Sequence, residues 1–334
     1  MNGPLIAPEN GEDRIRIEMT CRCRDSDVLD KVSNAGALEP FRGRTVQVMH
    51  NGVRVLAGGY YGDWMIEVIQ RLRGCHEPQE EVVFSQVMKR VGPTSNMVEL
   101  GAFWAYYSCW FLKEHPGGRV YCVEPDPNNW AIGRTNLELN DSEAMFIGAA
   151  VGATSTPPRP FTCESDGITR PIPRVSVDAL VRDYGIRVID VLLADVQGAE
   201  SAMLEGCGET IRAGKVRFVF VSTHHHSISG DPLTHQKCLA FIREHGGHVF
   251  AEHTVGESFS GDGLIAASFA AIDQDMPDIS LSRNRASTNM WRELEYDLAQ
   301  AFAKDGVPES FREALRHALR TGWSAMARRW RLKR

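Results

Sequence analysis

No apolar run in the 334-residue chain approaches the roughly twenty residues that a helix needs to cross a bilayer, so the sequence offers no helical membrane span. The first residues, Met1-Asn2-Gly3-Pro4-Leu5-Ile6-Ala7-Pro8-Glu9, carry neither a basic region nor a long apolar core, and a secretory signal is not expected. The eight cysteines are scattered, without a C-x-x-C pair; Cys21-x-Cys23 is too tight for a zinc knuckle. Reduced thiols in a cytoplasmic protein are the simplest expectation. A net positive charge is also missing. The chain carries −6, and its last stretch, 307–334, is itself +6 from eight basic and two acidic residues, which leaves −12 on residues 1–306. So acidic a body argues against nucleic acid as the main partner.

What is present is an alternation of strands and helices from Met97 onward. Strands are expected at 97–101, 119–124, 145–150, 189–195, 217–223, 248–253 and 264–271. Helices are expected near 105–114, 127–139, 176–184, 200–213 and 233–245. The last two strands have only the loop Glu257–Gly263 between them, too short for a helical crossover, so the final strand should insert antiparallel. The expected fold is therefore α/β: a Rossmann-like, seven-stranded, mostly parallel sheet with the last strand reversed, the layout of class I methyltransferases.

Two acids end successive strands of the first βαβ unit, in Val98-Glu99-Leu100-Gly101-Ala102 and Val123-Glu124-Pro125-Asp126. Ligands of open α/β sheets sit at the carboxyl ends of the strands, and a carboxylate after the second strand suits two ribose hydroxyls. The glycine pattern decides against a dinucleotide. Gly101 is followed by Ala102-Phe103-Trp104-Ala105, with none of the further glycines of G-x-G-x-x-G that let amides approach a pyrophosphate. Glu99 would repel phosphate and attract an ammonium group. S-Adenosylmethionine, cationic, phosphate-free and ribose-bearing, meets all three conditions.

Outside this core, Gln47–Leu56 reads as a hairpin about Asn51-Gly52. Trp64–Leu72 reads as a helix, and His76-Glu77-Pro78 opens another. The Pro- and Thr-rich stretch 154–174 reads as a surface loop. Two helices are expected after the sheet, Thr288–Ala303 and Glu309–Trp330. The second is basic and amphipathic; packing on its own domain or on a second subunit is favoured over peripheral contact with an anionic membrane. This divides the chain into an N-terminal cap (1–95), a cofactor-binding domain (96–272) and a C-terminal helical extension (273–334).

Three segments together resemble the FkbM family of S-adenosylmethionine-dependent methyltransferases: Val98–Ala102; Val123–Pro127 with Asn136 and Asn140 downstream; and Ala194-Asp195-Val196-Gln197-Gly198-Ala199-Glu200. The resemblance spans roughly residues 76–270. The family usually carries Asp-x-Glu-Gly-x-Glu in the third segment, where this chain has Gln197. The resemblance implies O-methylation, with a sugar or polyketide hydroxyl as acceptor and polysaccharide biosynthesis as setting. It further implies Glu99, Gly101 and Ala102 at the methionine end, Glu124 on the ribose, Pro125 and Asp126 beside the adenosine, and Ala149 and Ala150 against the adenine.

Methyl transfer to an alcohol requires removal of a proton as the bond forms. Asp195 closes the fourth strand, and Ser222-Thr223-His224-His225-His226 closes the fifth. In extended chain His224 and His226 share a face, so either is a candidate base, with Asp195 orienting it or taking the proton itself. His235, His253 and Asp262 follow near the same edge and admit a divalent metal, which the absence of H-x-x-x-H or C-x-x-C spacing does not favour. Asp262 reads first as an Asp-Gly turn residue. His50, in the hairpin, is a weak candidate for the acceptor pocket, and His76 and Glu77 for a cofactor lid or a helix cap. Competing readings are an N-methyltransferase, an NAD-dependent sugar oxidoreductase and a non-catalytic nucleoside-binding scaffold.

Overall fold

Asn51-Gly52 makes its turn as expected, with Gly52 at φ +79°. In the computed structural model, which describes residues 11–285 and 288–291, the chain opens with helix α1 (Gly11–Thr20) and a small antiparallel sheet. That sheet has β1 (Leu38–Phe41), β2 (Arg44–Val48) and β3 (Arg54–Leu56), one strand more than the expected hairpin. Helices α2 (Asp63–Arg71) and α3 (Pro78–Met88) lead into the main sheet. Pro78 occupies the first turn of α3, where its missing N–H has no partner to lose.

The core elements follow as β4 (Asn96–Leu100), α4 (Tyr106–Glu114), β5 (Arg119–Val123), α5 (Pro127–Leu139), β6 (Met145–Ile147) and β7 (Ala150–Val151). Strands β8 (Thr156–Thr162) and β9 (Thr169–Val175) come next, then α6 (Val177–Asp183) and β10 (Ile189–Asp195). The chain continues through α7 (Glu200–Glu205), α8 (Gly208–Arg212), β11 (Val216–Thr223), α9 (His226–Ser229), α10 (Thr234–Glu244), β12 (His248–His253) and β13 (Gly263–Ser268).

Seven of these strands form one sheet in the order β12-β13-β11-β10-β4-β5-β6. β13 runs antiparallel to both of its neighbours, and the other neighbouring pairs are parallel. This is the class I methyltransferase arrangement. The chain moves outward from β4 in one direction and from β10 in the other, so the sheet reverses between them. A crevice opens at such a point, because the two crossovers leave on opposite faces.

Alternation along the strands sends side chains to two separate cores. Phe218 and Phe220 pack with Phe84, Tyr106 and Trp110, while Val219 and Val221 pack with Val98, Leu192 and Leu204 on the other face. Residues of the first 95 belong to the former core, among them Ile17, Met49 and Val55. Asn136 and Asn140 of α5 fasten β3 to this core. Asn136 accepts from the Leu56 amide and donates to the Trp104 carbonyl, and Asn140 brackets both backbone groups of Arg54.

Three expectations are corrected. Residues 154–174 are not a loop: β8 and β9 pair as an antiparallel hairpin, with β7 added alongside. The helix expected over 200–213 is interrupted between α7 and α8 at Gly206, where a Cβ would stand 2.5 Å from the Gly152 carbonyl oxygen. The extended register assumed for the His224–His226 stretch ends at Thr223, and α9 begins at His226. The two C-terminal helices lie outside the described residues except for 288–291. No helix among the described residues is long and apolar enough to cross a membrane.

Candidate functional site

Gly101 has a positive φ of 76°, and a Cβ there would fall 1.6 Å from the Asp195 carbonyl oxygen. The end of β4 thus lies directly against the end of β10, at the reversal of the sheet. Beside this contact is a cleft of about 450 Å³. Gly101, Glu124, Pro125, Asp126, Ala150 and Asp195 line it, and the β8–β9 hairpin adds Phe161, Thr162 and Glu164 as a wall. Three non-glycine residues on the cleft, Tyr61, Phe103 and Gln197, also have positive φ. Such strain persists only where surrounding structure enforces it, and it concentrates at ligand sites.

Glu124 is held by two backbone amides, accepting from Phe103 at 3.0 Å and from Asp126 at 2.9 Å. Burial nevertheless pushes its carboxyl up to about 7. Asp126 is the N-cap of α5, bonded to the Asn128 amide, and also accepts from the amide and hydroxyl of Ser165. It therefore ties the hairpin to the cleft rim. Glu99 and Ala102 do not face the large cleft; with Gly101 they line a small cavity behind it. There the Glu99 carboxylate accepts from the amide and hydroxyl of Ser108 at the start of α4, and burial raises it to about 8. Ala149 is packed in the core beneath the site. Trp104, Tyr106 and Tyr107 are core aromatics; Trp104 stacks on Tyr60 at 4.3 Å.

His224 and Asp195 do come together. The imidazole is buried, with Nδ1 2.6 Å from Glu200 Oε1 and Nε2 3.1 Å from Asp195 Oδ1 and 3.5 Å from Asp262 Oδ1. Burial opposes a charge on the ring, yet Asp262, Asp195 and Glu200 outweigh it and hold the ring protonated well above the usual imidazole range. A ring so held is a cation between carboxylates, and it has no lone pair to accept a proton. Such a ring is placed to orient the carboxylates around it. His226 is corrected: it is exposed on α9, against His225, because the chain turns helical before it.

A second cavity of about 290 Å³ adjoins the cleft and shares Tyr61, Glu164 and Gln197 with it. Its lining mixes the aromatic rings of Tyr60, Trp64 and Trp291 with Arg16, Glu77 and Glu164, and Asp262 and His224 open into it. Burial raises the Asp262 carboxyl to about 6. His235 and His253 do not join this group; they bond Thr223 and the Thr254 carbonyl instead. Among the described residues the histidines of this edge form no cluster of metal-binding geometry.

Sequence reasoning passed over Glu80, read as an acid opposing a helix dipole, while Glu77 was read as a lid or helix-cap residue and Asp262 as a turn residue or metal ligand. Glu80 accepts from the Ser222 hydroxyl at 2.8 Å, and burial raises it to about 8. Two acids three residues apart, Glu77 at the N-cap and Glu80 in the first turn of α3, were the available signal.

These raised acids set the sign of the stability profile. Glu80, Glu99 and Glu124 keep protons in the folded state up to about pH 7–8, while the unfolded chain releases them near 4.5. Stability therefore falls as pH rises from about 4.5 to 8. Glu80→Gln should raise the melting temperature at pH 8 and leave it nearly unchanged at pH 4.5. Calorimetry at the two pH values checks this, and equal shifts at both would refute it.

Residues 88–249 match the methyltransferase FkbM domain family. The match covers just under half of the chain. The protein is accordingly an S-adenosylmethionine-dependent methyltransferase, as the three segments implied. No curated protein matches the chain. Among solved structures, precorrin-6y C5,15-methyltransferase from Geobacter metallireducens GS-15 aligns at 15% identity and TM-score 0.37, over 56% of this chain and 87% of that one. TrmK of M. capricolum with S-adenosylhomocysteine aligns at 12% and 0.38, over 70% and 92%. An O-methyltransferase family protein from Burkholderia thailandensis aligns at 13% and 0.34, over 57% and 56%. Within the matched span Gln197 stands where the FkbM family usually carries Glu. Its amide donates to Asp195 Oδ1 at 3.1 Å, where a carboxylate would have added a like charge.

Proposed function

We propose that the protein transfers a methyl group to a hydroxyl, with a sugar or glycan as the leading acceptor class. The observation that carries this reading is the pair of adjoining cavities with Asp195 and His224 at their junction, one rimmed by Glu124 and the other lined in part by aromatic rings. The cofactor cleft fits an adenosyl group: Glu124 keeps acceptor capacity for ribose, Ala150 and Asn129 flank the adenine side, and Gly101 with Gly198 leaves room at the methionine end. Glu99 acts one layer behind, as a buried acid under that end. S-Adenosylmethionine supplies an electrophilic methyl carbon on a sulfonium.

The chain supplies the proton acceptor. Asp262 lies in the acceptor cavity, and a carboxyl held near 6 is ionised at neutral pH yet basic enough to take a hydroxyl proton. The His224 imidazolium orients Asp195 and Asp262 from between them. Tyr60, Tyr61, Trp64 and Trp291 offer flat apolar faces of the kind that stack on sugar rings. Residues 1–95 act as the cap that completes this cavity, through Arg16, Tyr60 and Trp64. The −12 body makes nucleic acid an unsuitable acceptor. Thiols kept free and buried accord with a cytoplasmic setting.

Thermal unfolding tests the cofactor part. S-Adenosylmethionine at a hundred times its dissociation constant should stabilise the protein by about 2.7 kcal/mol, and NAD should not. Stabilisation by NAD alone would overturn the reading. A panel of mono- and oligosaccharides, scored for methyl incorporation against primary amines, tests the acceptor class.

A further inference from the structure

On the far side of the cap, three side chains that play no part in methyl transfer converge: His50 after β2, Cys75 between α2 and α3, and Glu81 in α3. One ligand atom from each lies within 4.8 Å of the others. All three residues are buried, at 3%, 0% and 0% exposure. The sequence placed His50 toward the acceptor pocket; the structure turns it away, edge-on against Trp110.

The bonding of each residue is complete except at the point of convergence. His50 Nδ1 faces the Asp30 carbonyl at 3.1 Å, which requires the proton on Nδ1 and leaves Nε2 as a bare lone pair. Glu81 Oε1 accepts from the His76 amide at 2.8 Å and from the His76 ring. Glu81 Oε2 and His50 Nε2 are buried without a nitrogen or oxygen donor, and they stand 3.9 Å apart; the Cys75 thiol is hydrogen-bonded to the Glu81 carboxylate. Cys75 Sγ accepts from Lys31 Nζ at 3.3 Å. The backbone is fitted to this approach. Gly74 has φ +87°, and a Cβ there would meet the His50 amide nitrogen at 2.2 Å.

Two facing buried acceptors served by no donor stronger than a thiol are costly unless something positive lies between them. A carbonyl on the distal nitrogen of a histidine is the usual support for a metal-binding imidazole, and an N–H donor on sulfur supports a thiolate. Nitrogen, sulfur and carboxylate donors together suit zinc, with a fourth position for water. His50 also lines a cavity of about 410 Å³, which gives a path for the ion and its water.

We propose that His50 Nε2, Cys75 Sγ and Glu81 Oε2 bind a zinc-class divalent cation that pins the cap. On binding, the Cys75 thiol releases its proton to solvent, and the thiolate and carboxylate neutralise the two charges of the ion. Glu81 also holds His76, whose ring packs against Tyr60 and Trp104 at the acceptor cavity. The ion therefore positions the floor of that cavity from behind.

The test uses the full chain, purified without chelator, stripped with a strong chelator and reloaded with Zn²⁺ or Co²⁺. Elemental analysis should find zinc stoichiometric with protein, and melting temperature should fall on stripping and recover on reloading. Co²⁺ should give a thiolate-to-cobalt charge-transfer band with tetrahedral visible absorption. Cys75→Ser should abolish the band, and Cys163→Ser, at a buried cysteine outside the cluster, should keep it. Sub-stoichiometric metal after reloading, or a band that survives Cys75→Ser, overturns the proposal. Both readouts are independent of methyl transfer, so they stand whether or not the proposed activity does.

Discussion

Gly101→Ala is expected to weaken cofactor binding by roughly a hundredfold and to lower the melting temperature by roughly 6–12 °C. The side chain has nowhere to go. Its Cβ would fall 1.6 Å from the Asp195 carbonyl oxygen, at a φ of +76° that L residues rarely adopt. Backbone strain of about 1–2 kcal/mol adds to an overpacking cost of about 1–3 kcal/mol. Relief must come from parting β4 and β10, the two strands whose ends meet under the cleft. Displacement of about an ångström there should weaken S-adenosylmethionine by roughly a hundredfold. Calorimetric titration and a thermal melt on the same sample check both parts. A variant that binds the cofactor as the parent does would show that the cleft is not the cofactor site.

Asp262→Asn should lower kcat toward a hydroxyl acceptor by about 10²–10⁴ while leaving cofactor affinity within a few-fold. Asparagine keeps the shape and removes the proton acceptor. Asp262 lines the acceptor cavity and not the cofactor cleft, which is why the two measurements should separate. Because burial holds this carboxyl near 6, activity of the parent should rise as pH passes through about 6, and that limb should vanish in the variant. His224→Gln should disturb both carboxylates and act less specifically. A small effect of Asp262→Asn with a clear effect of Asp195→Asn would move the base to Asp195. A small effect of both would favour an amine acceptor, which needs less help in losing its proton.

Most of the sheet was legible because burial leaves little choice of residue. Ile189–Asp195 and Val216–Thr223 are near-continuous apolar runs, as strands covered on both faces must be, and their bounds fall within a residue of those expected. The β8–β9 hairpin was illegible for the opposite reason. β8 is an edge strand, and β9 pairs with β7 only at Arg174 and Val175, so the prolines Pro157, Pro158, Pro160, Pro171 and Pro173 that read as loop are tolerated there. At the site, Glu124, Gly101 and Asp195 were found because strand ends are predictable places. His226 was misplaced because a one-residue argument about facing fails as soon as the strand stops. The charge on His224 was out of reach, since it depends on Glu200 and Asp262 arriving from elsewhere in the chain.

The acids gathered under the two cavities have one more consequence. Glu77, Glu80, Glu99, Glu124, Asp195 and Asp262 surround the place where the sulfonium would sit. Methyl transfer turns that cation into a neutral thioether, so any of these acids that the sulfonium draws into its ionised form loses its hold on what the donor becomes. The spent cofactor should leave more readily than fresh cofactor, and product inhibition should be weak. Turnover is thereby given a direction by electrostatics alone, without any part of the protein having to move.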